Sequence, residues 1–219
     1  MSAKGSRRRI RAQLTTSPAA LEYPHPIFTI GHSTRTLAEF IALLDDVQAD
    51  LVVDVRSITR SRTNPQFNID ALPEALGAVG IGYRHLLALG GLRHRPNSAT
   101  PSPNKLWLSV SFRHYADYTA TNAFRDGLKE LVALARHKRC VIMCAEAVWW
   151  RCHRRIIADH LLAKGFFVAH VMGHGKVVPA KFTPGIRSLR DGTLTYPAVE
   201  ESLADENAVS PVLRWIPSG

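Results

Sequence analysis

Five short β-prone runs, separated by stretches of helical spacing, constrain the fold of this chain more than any other feature. The runs are Ile27 to Ile30, Leu51 to Val55, Ile81 to Leu86, Arg139 to Met143 and Phe166 to Met172. Leu51-Val-Val-Asp-Val55 is apolar at successive positions, the pattern of a parallel strand covered on both faces. Thr36-Leu-Ala-Glu39 is a capping-box pattern that opens a helix running to about Val47. Asp70 to Val79 suits a short helix with Pro73 in its first turn and Gly80 at its end. Phe112 to about Tyr118 follows, then Asn122 to His137, with Phe124, Leu128, Leu131, Val132 and Ala135 at helical spacing. Cys152 to Lys164 is the last helix, stopped by Gly165. Strands alternating with helices of this length imply right-handed crossovers and a sheet with helices on both sides. The expected fold class is therefore α/β: one Rossmann-like domain with a mainly parallel, roughly five-stranded sheet flanked by helices.

The chain has 219 residues, enough for one domain with tails. Residues 1–24 read as a basic, disordered arm, 25–175 as the α/β domain, and 176–219 as an irregular C-terminal extension. Leu89 to Pro103 is a long Gly/Pro/Ser/Arg-rich loop, of a length that usually carries function or mobility. No run approaches the roughly 18 apolar residues of a membrane helix, so no membrane partner is expected. The N-terminus is basic but lacks the apolar stretch of a secretory signal, which speaks against export. Three cysteines offer no disulfide framework and point to a reducing, cytoplasmic setting. The formal charge of +10 is spread as +4 over residues 1–22, +8 over 23–185 and −2 over 186–219. A basic domain points to an anionic partner, a phosphorylated small molecule or a nucleic acid. Charge alone also fits a merely soluble basic protein.

Polar residues gather at the ends of the expected strands. His32 and Ser33 follow the first, Asp54 and Arg56 close the second, Tyr83 and His85 the third, Cys144 and Glu146 the fourth, and His170 the fifth. Carboxyl ends of parallel strands share one edge, and open α/β sheets bind ligands there. Ser33 is also explained as a turn former or helix cap. The helix beginning near Cys152 adds Arg151, Arg154 and Arg155 at an N-terminus, where the dipole disfavours cations by roughly 0.3–1 kcal/mol each. That crowding fits an anion held by backbone N–H groups and guanidinium forks. Alternatively Arg151 and Arg155 face solvent or pair with nearby acids. Arg60 joins the anion-binding candidates.

These residues fall in a recognisable pattern. Thr29-Ile-Gly-His-Ser33, Leu51-Val-Val-Asp-Val-Arg56, Arg60-Ser61, Tyr83-Arg-His85-Leu, Leu89-Gly-Gly91 and Cys144-Ala-Glu146 with Cys152-His153-Arg154 resemble the family called domain of unknown function 488. The resemblance covers about residues 27–172 and implies a compact α/β domain that brings these motifs together. It implies no activity, because the family is uncharacterised. Many relatives have proline where this chain has Thr59 and Trp149. Trp149 and Trp150 would stack a base or another ring, or fill a gap beneath the loop. The layout is also similar, more weakly, to rhodanese-like domains, although bulky tryptophans replace a compact loop around the cysteine.

Three chemistries fit the motifs. In the leading one Glu146 and Asp54 act as acid and base on a nucleotide or nucleic-acid-like phosphorylated substrate, in a hydrolase or transferase. Arginines would hold its phosphate and Trp149, Trp150 or Tyr83 its base, while Asp54 alternatively only anchors Arg56 or Arg154. In the second, Cys144 or Cys152 is a nucleophile for thiol transfer, sulfur transfer or redox sensing. Cys152 is the better placed, beside Arg151, His153 and Arg154 at a helix start; Cys140 reads as a buried apolar residue. In the third, Cys144, Cys152 and His153 bind a metal with His32, His85 or His170. The Cys144–Cys152 gap is not that of zinc knuckles and adjacent Cys-His ligands are uncommon, so no cofactor is expected. Gly173-His-Gly-Lys176 lacks a phosphate-loop frame and reads as a basic turn. A non-catalytic nucleic-acid-binding module is the remaining reading.

Overall fold

The structure, a computed structural model, describes residues 25–94 and 101–198. The expected basic arm at 1–24 and the end of the extension at 199–219 lie outside the described residues. Five parallel strands form the sheet: β1 (Ile27–Gly31), β2 (Leu51–Asp54), β3 (Gly82–His85), β4 (Cys140–Cys144) and β5 (Val168–Gly173). A sixth, β6 (Lys176–Pro179), pairs antiparallel with β5, giving the order β3-β2-β4-β1-β5-β6. The helices are α1 (Leu37–Asp46), α2 (Leu72–Gly77), α3 (Val110–Tyr118), α4 (Asn122–Ala135) and α5 (Arg154–Ala163). The α/β fold read from the alternation is the fold observed. No described helix is long and apolar enough to cross a membrane.

Local chemistry accounts for the boundaries. Thr36 caps α1: its hydroxyl accepts from the Glu39 N–H at 3.2 Å while Glu39 Oε2 accepts from the Thr36 N–H at 2.7 Å. Gly165 ends the turn after α5 at φ 83°, a conformation side chains resist. Strand residues then divide by alternation. Phe28, Ile30, Val52, Val141, Met143, Ala169 and Val171 pack against α1 and α2 through Phe40, Leu43, Leu44, Leu72 and Leu76. Ile27, Leu51, Val53, Cys140, Ile142 and Val168 face α3, α4 and α5 through Tyr115, Phe124, Leu128, Leu131, Ile156 and Leu161.

This division positions the site. The chain leaves β1 toward α1 on one face and leaves β4 toward α5 on the other. Because β1 and β4 are neighbours, their carboxyl ends bound the crevice where the winding direction reverses.

The chain after Gly173, expected to lack clear elements, is partly regular. Besides β6 it forms a small hairpin of β7 (Arg187–Ser188) and β8 (Leu194–Thr195). Asp159 of α5 pins this segment. It accepts from the Thr183 N–H at 2.9 Å, the Thr183 hydroxyl at 2.8 Å and the Tyr196 hydroxyl at 3.1 Å, all buried. These strands are too short, and their anchors too far apart in sequence, to leave a periodic signal. Asp159→Ala would strand those donors at about 1–3 kcal/mol each. The expected result is a lower urea midpoint and faster proteolytic cleavage after Lys181 or Arg187, with the sheet retained by circular dichroism.

Candidate functional site

The crevice between β1 and β4 is closed by the protein's own backbone. After β4 the chain continues along β1, with the His32 N–H donating to Cys144 O and the Ser33 N–H to Ala145 O, both at 2.9 Å. A Cβ on Gly31 would lie 1.8 Å from the Glu146 carbonyl oxygen, so only glycine permits this approach. Ser33 takes a left-handed φ of 51° and serves as a turn residue. The space that holds a ligand in many open α/β sheets is filled here, and the polar residues divide into two buried clusters beneath it.

The first cluster centres on Asp54, fully buried at the end of β2. Its carboxylate receives the Arg56 guanidinium from Nε at 2.9 Å and Nη2 at 2.6 Å, the Arg56 N–H at 3.0 Å and the Tyr83 hydroxyl at 2.7 Å. Arg56 Nη2 also donates to Phe67 O at 2.7 Å, and Nη1 lies 3.2 Å from His32 Nε2. His32 Nδ1 faces Ser33 O at 2.8 Å, which fixes Nδ1–H and leaves Nε2 to accept from Arg56. Burial pushes the His32 imidazole down to about 4, with Arg56 adding to the shift, so the ring is neutral. His85 Nε2 donates to Arg56 O at 2.9 Å. Asp54, Arg56, Tyr83, His32 and His85 therefore form one brace.

The two carboxylates of the expected Glu146/Asp54 acid–base pair lie in different surroundings. The oxygens of Asp54 are saturated by donors, and burial together with the hydrogen bond to Asp54 pushes the Tyr83 phenol up. Glu146, by contrast, is exposed on the loop after β4. Arg60, expected at an anion site, is exposed and paired with Asp70 at 2.8 Å.

The second cluster contains the sulfurs. Cys144 ends β4, a turn of 3₁₀ helix spans Trp149–Arg151, and α5 begins with His153 at its N-cap. Cys152 is extended (φ −130°, ψ 145°) while His153 is already helical (φ −57°, ψ −16°). This change of direction lets two consecutive side chains face the same strand end. His153 Nδ1 lies 3.6 Å from Cys152 Sγ and 4.0 Å from Cys144 Sγ, and the three atoms are all within 4.8 Å of one another. His153 Nε2 is 3.0 Å from Val55 O; a carbonyl only accepts, so Nε2 carries a proton, and Nδ1 is the ring nitrogen that faces the two sulfurs. Tyr115 meets the ring edge-on at 4.9 Å. A Cβ on Gly91 would lie 2.4, 2.8 and 2.9 Å from Nδ1, Cε1 and Cγ, nearly equal distances that place Gly91 over the ring face.

Arg154 completes the cluster. It is 1% exposed, and among the described residues no carboxylate lies within 4.0 Å of it. Its Nε donates to Cys152 Sγ at 3.2 Å and its Nη2 to the Glu146 carbonyl. Burial pushes the Cys152 thiol up, but the hydrogen bond from Cys144, the His153 imidazole and the Arg154 guanidinium outweigh it and hold Cys152 well below the usual thiol range. The same hydrogen bond, then burial, holds Cys144 well above it. The two shifts have opposite directions, so Cys152 gives up its proton before Cys144 does. Cys140 lies in the core, pushed up to about 12 by burial.

The remaining expected residues fall around this cluster. Arg151 is exposed, so it does not share a buried anion site with Arg154. Trp149 stacks on His170, 4.3 Å between centroids and 9° between planes, while Trp150 is 47% exposed. His170 is inside β5, opposite Thr29, whose hydroxyl lies 2.8 Å from its Nδ1, so it does not close the strand as expected. Arg155 spans from Thr183 Oγ1 at 3.0 Å to the faces of Trp107 and Trp149. Gly31, Gly91, Tyr115 and the Val55 carbonyl were not among the expected site residues. Gly31, Val55 and Gly91 lay inside the quoted motifs without being singled out, and Tyr115 lay outside them.

Fold and site define a parallel α/β protein whose sheet edge carries a buried pair of thiols, an imidazole and a guanidinium. The profile of one family, described as domain of unknown function DUF488, matches residues 36–161, more than half of the chain, and the chain belongs to that family. The matched span includes β2, β4 and the Cys144, Cys152, His153 and Arg154 cluster, and leaves β1 and β5 outside. No curated protein and no solved structure matches the chain.

Two outcomes follow. Ultraviolet thiolate absorbance should show one thiolate persisting well below pH 8.5, where an ordinary thiol has largely protonated. That low-pH step should vanish in Cys152→Ser and survive in Cys140→Ser. Separately, Asp54→Asn would leave Arg56 buried without its counter-charge and lower the unfolding free energy by about 3–5 kcal/mol in urea titrations.

Proposed function

We propose that this protein is a cysteine-dependent redox protein, with Cys144 and Cys152 as its working dithiol. The observation that carries the reading is the pairing of two thiols with one buried guanidinium. Arg154 reaches Cys152 Sγ at 3.2 Å and no described carboxylate competes for it. A buried cation without an anion is costly, so Cys152 as thiolate is its natural complement. A thiolate beside a second thiol is the arrangement that lets an oxidised sulfur be captured before further oxidation.

Exposure narrows the co-reactant. Cys144 is 7% exposed and Cys152 2%, so a small oxidant such as a hydroperoxide fits this site better than a folded protein disulfide. The Cys152 thiolate attacks the terminal peroxide oxygen and the O–O bond breaks. The alkoxide leaves and takes up a proton from solvent, replacing the one Cys152 released on forming the thiolate, and Cys152 becomes a sulfenic acid. Cys144 gives its proton to His153 Nδ1 and attacks Cys152 Sγ; the S–O bond breaks and water departs with that proton. Two thiols and one hydroperoxide thus yield one disulfide, one alcohol and one water. A low-molecular-weight thiol returns the disulfide to the dithiol by exchange.

The reading leaves the net positive charge of the chain to solubility or to a separate partner. It gives Glu146 no proton to move, because its only contribution to the cluster is a backbone carbonyl.

Oxidation of the reduced protein with one equivalent of hydrogen peroxide should remove two hydrogens by intact-mass measurement. Peptide mapping should place the bond between Cys144 and Cys152, with Cys140 free. Cys144→Ser should stop at a sulfenic acid trapped by dimedone, and Cys152→Ser should react at the rate of an ordinary buried thiol. Wild-type protein that acquires no internal disulfide while keeping its fold would refute the proposal.

A further inference from the structure

Cys144 Sγ, Cys152 Sγ and His153 Nδ1 form a triangle of three candidate metal ligands within 4.8 Å of one another, a property separate from the proposed redox chemistry. A tetrahedral zinc ion with Zn–S of about 2.3 Å and Zn–N of about 2.05 Å requires S···N separations near 3.6 Å and an S···S separation near 3.8 Å. The two S···N separations here are 3.6 and 4.0 Å, and all three atoms lie within 4.8 Å of one another. We propose that the reduced protein binds one zinc ion through Cys144, Cys152 and His153, with its fourth position left to water or a small ligand.

The surrounding groups have the orientation such a site needs. A ligating imidazole ordinarily donates its other N–H to a carbonyl or carboxylate, which sets its tautomer and aim. His153 does this through Nε2 to Val55 O at 3.0 Å. Gly91 lies over the ring face and leaves the in-plane lone pair clear. Arg154 Nε–H directed at Cys152 Sγ is an outer hydrogen bond to a ligating sulfur, and it can persist once metal is bound because sulfur has further lone pairs. Two thiolates and one imidazole cancel the charge of a divalent ion, and Arg154 is then the charged side chain that the described hydrogen bonds place on a ligating sulfur.

The sequence spacing argued against this site because seven residues separate the cysteines and the histidine is adjacent to the second. The fold removes both objections. The loop of residues 145–151 returns to the strand end it left, and the extended-to-helical step between Cys152 and His153 points consecutive side chains toward Cys144. Soft sulfur with imidazole selects zinc over magnesium or calcium. Three protein ligands with an open position is the composition of reactive zinc sites, whereas purely structural ones are closed by four.

The test uses full-length protein, reduced with a phosphine, stripped with chelator and kept anaerobic. Zinc chloride is titrated against a chromophoric chelator, and cobalt chloride is added in parallel. The expected result is one tight equivalent of zinc and a cobalt complex with tetrahedral visible bands and a thiolate-to-cobalt charge-transfer band. Cys144→Ser and Cys152→Ser should each weaken zinc by more than the roughly ten- to hundredfold that loss of an outer partner costs. His153→Gln should weaken it similarly, and Cys140→Ser should leave it unchanged. Folded wild-type protein that binds no stoichiometric zinc, or gives a cobalt spectrum without thiolate charge transfer, overturns the proposal even if a variant misfolds. Weak zinc binding that Cys152→Ser does not alter is binding by surface histidines and also overturns it. The disulfide experiment is run on metal-free protein, so either proposal can fail alone.

Discussion

A positive charge placed beneath the sheet edge is the constraint on which the rest of the site depends. Arg154 is among the largest fully buried side chains of the described residues, and its charge must be answered inside the protein. The answer has two parts: a carbonyl, Glu146 O, and a sulfur, Cys152 Sγ. The first ties the loop after β4 down over Gly31. The second adds to the larger effects of Cys144 and His153 in holding Cys152 below the usual thiol range, while Cys144 is held above it. One guanidinium thus shapes both the backbone that closes the crevice and the ionisation of the sulfurs beneath it.

The site also shows how one sheet edge can hold two kinds of buried charge. At β2 the carboxylate of Asp54 and the guanidinium of Arg56 neutralise each other with further hydrogen bonds and form a rigid brace. At β4 the cation faces a group whose charge depends on proton, oxidant or metal. In the first arrangement donors occupy both carboxylate oxygens. In the second the acceptor is a sulfur, and a thiolate is a weaker hydrogen-bond acceptor than a carboxylate and a better nucleophile.

Much of the fold was legible because the apolar pattern changed period cleanly. Leu51-Val-Val-Asp-Val55 and Arg139 to Met143 mark strands found at Leu51–Asp54 and Cys140–Cys144, and the spacing of Phe124, Leu128 and Leu131 marks α4. The site was legible as a neighbourhood and not as a set of roles. Arg151, Arg154 and Arg155 look alike in a list, yet only Arg154 falls in register with Ile157, Ala158 and Leu161, the stripe that α5 buries. Asp54 and Arg56, two apart at a strand end, face the same side, which is a signal for pairing more than for catalysis. The contact of the Glu146 carbonyl with Gly31 had no local signature, since it joins segments over a hundred residues apart. The anchoring of the C-terminal segment on Asp159 was hidden because its partners Thr183 and Tyr196 lie 24 and 37 residues further on, beyond any local pattern.

Two corners of the sulfur–imidazole triangle come from neighbouring residues, and their relative pose is set by a single pair of backbone angles. The third is fixed by the sheet. Of the seven residues that travel between them, Ala145 and Glu146 are tied down through their carbonyls. Changes among the other five, 147–151, reshape the cover over the sulfurs while those ties remain.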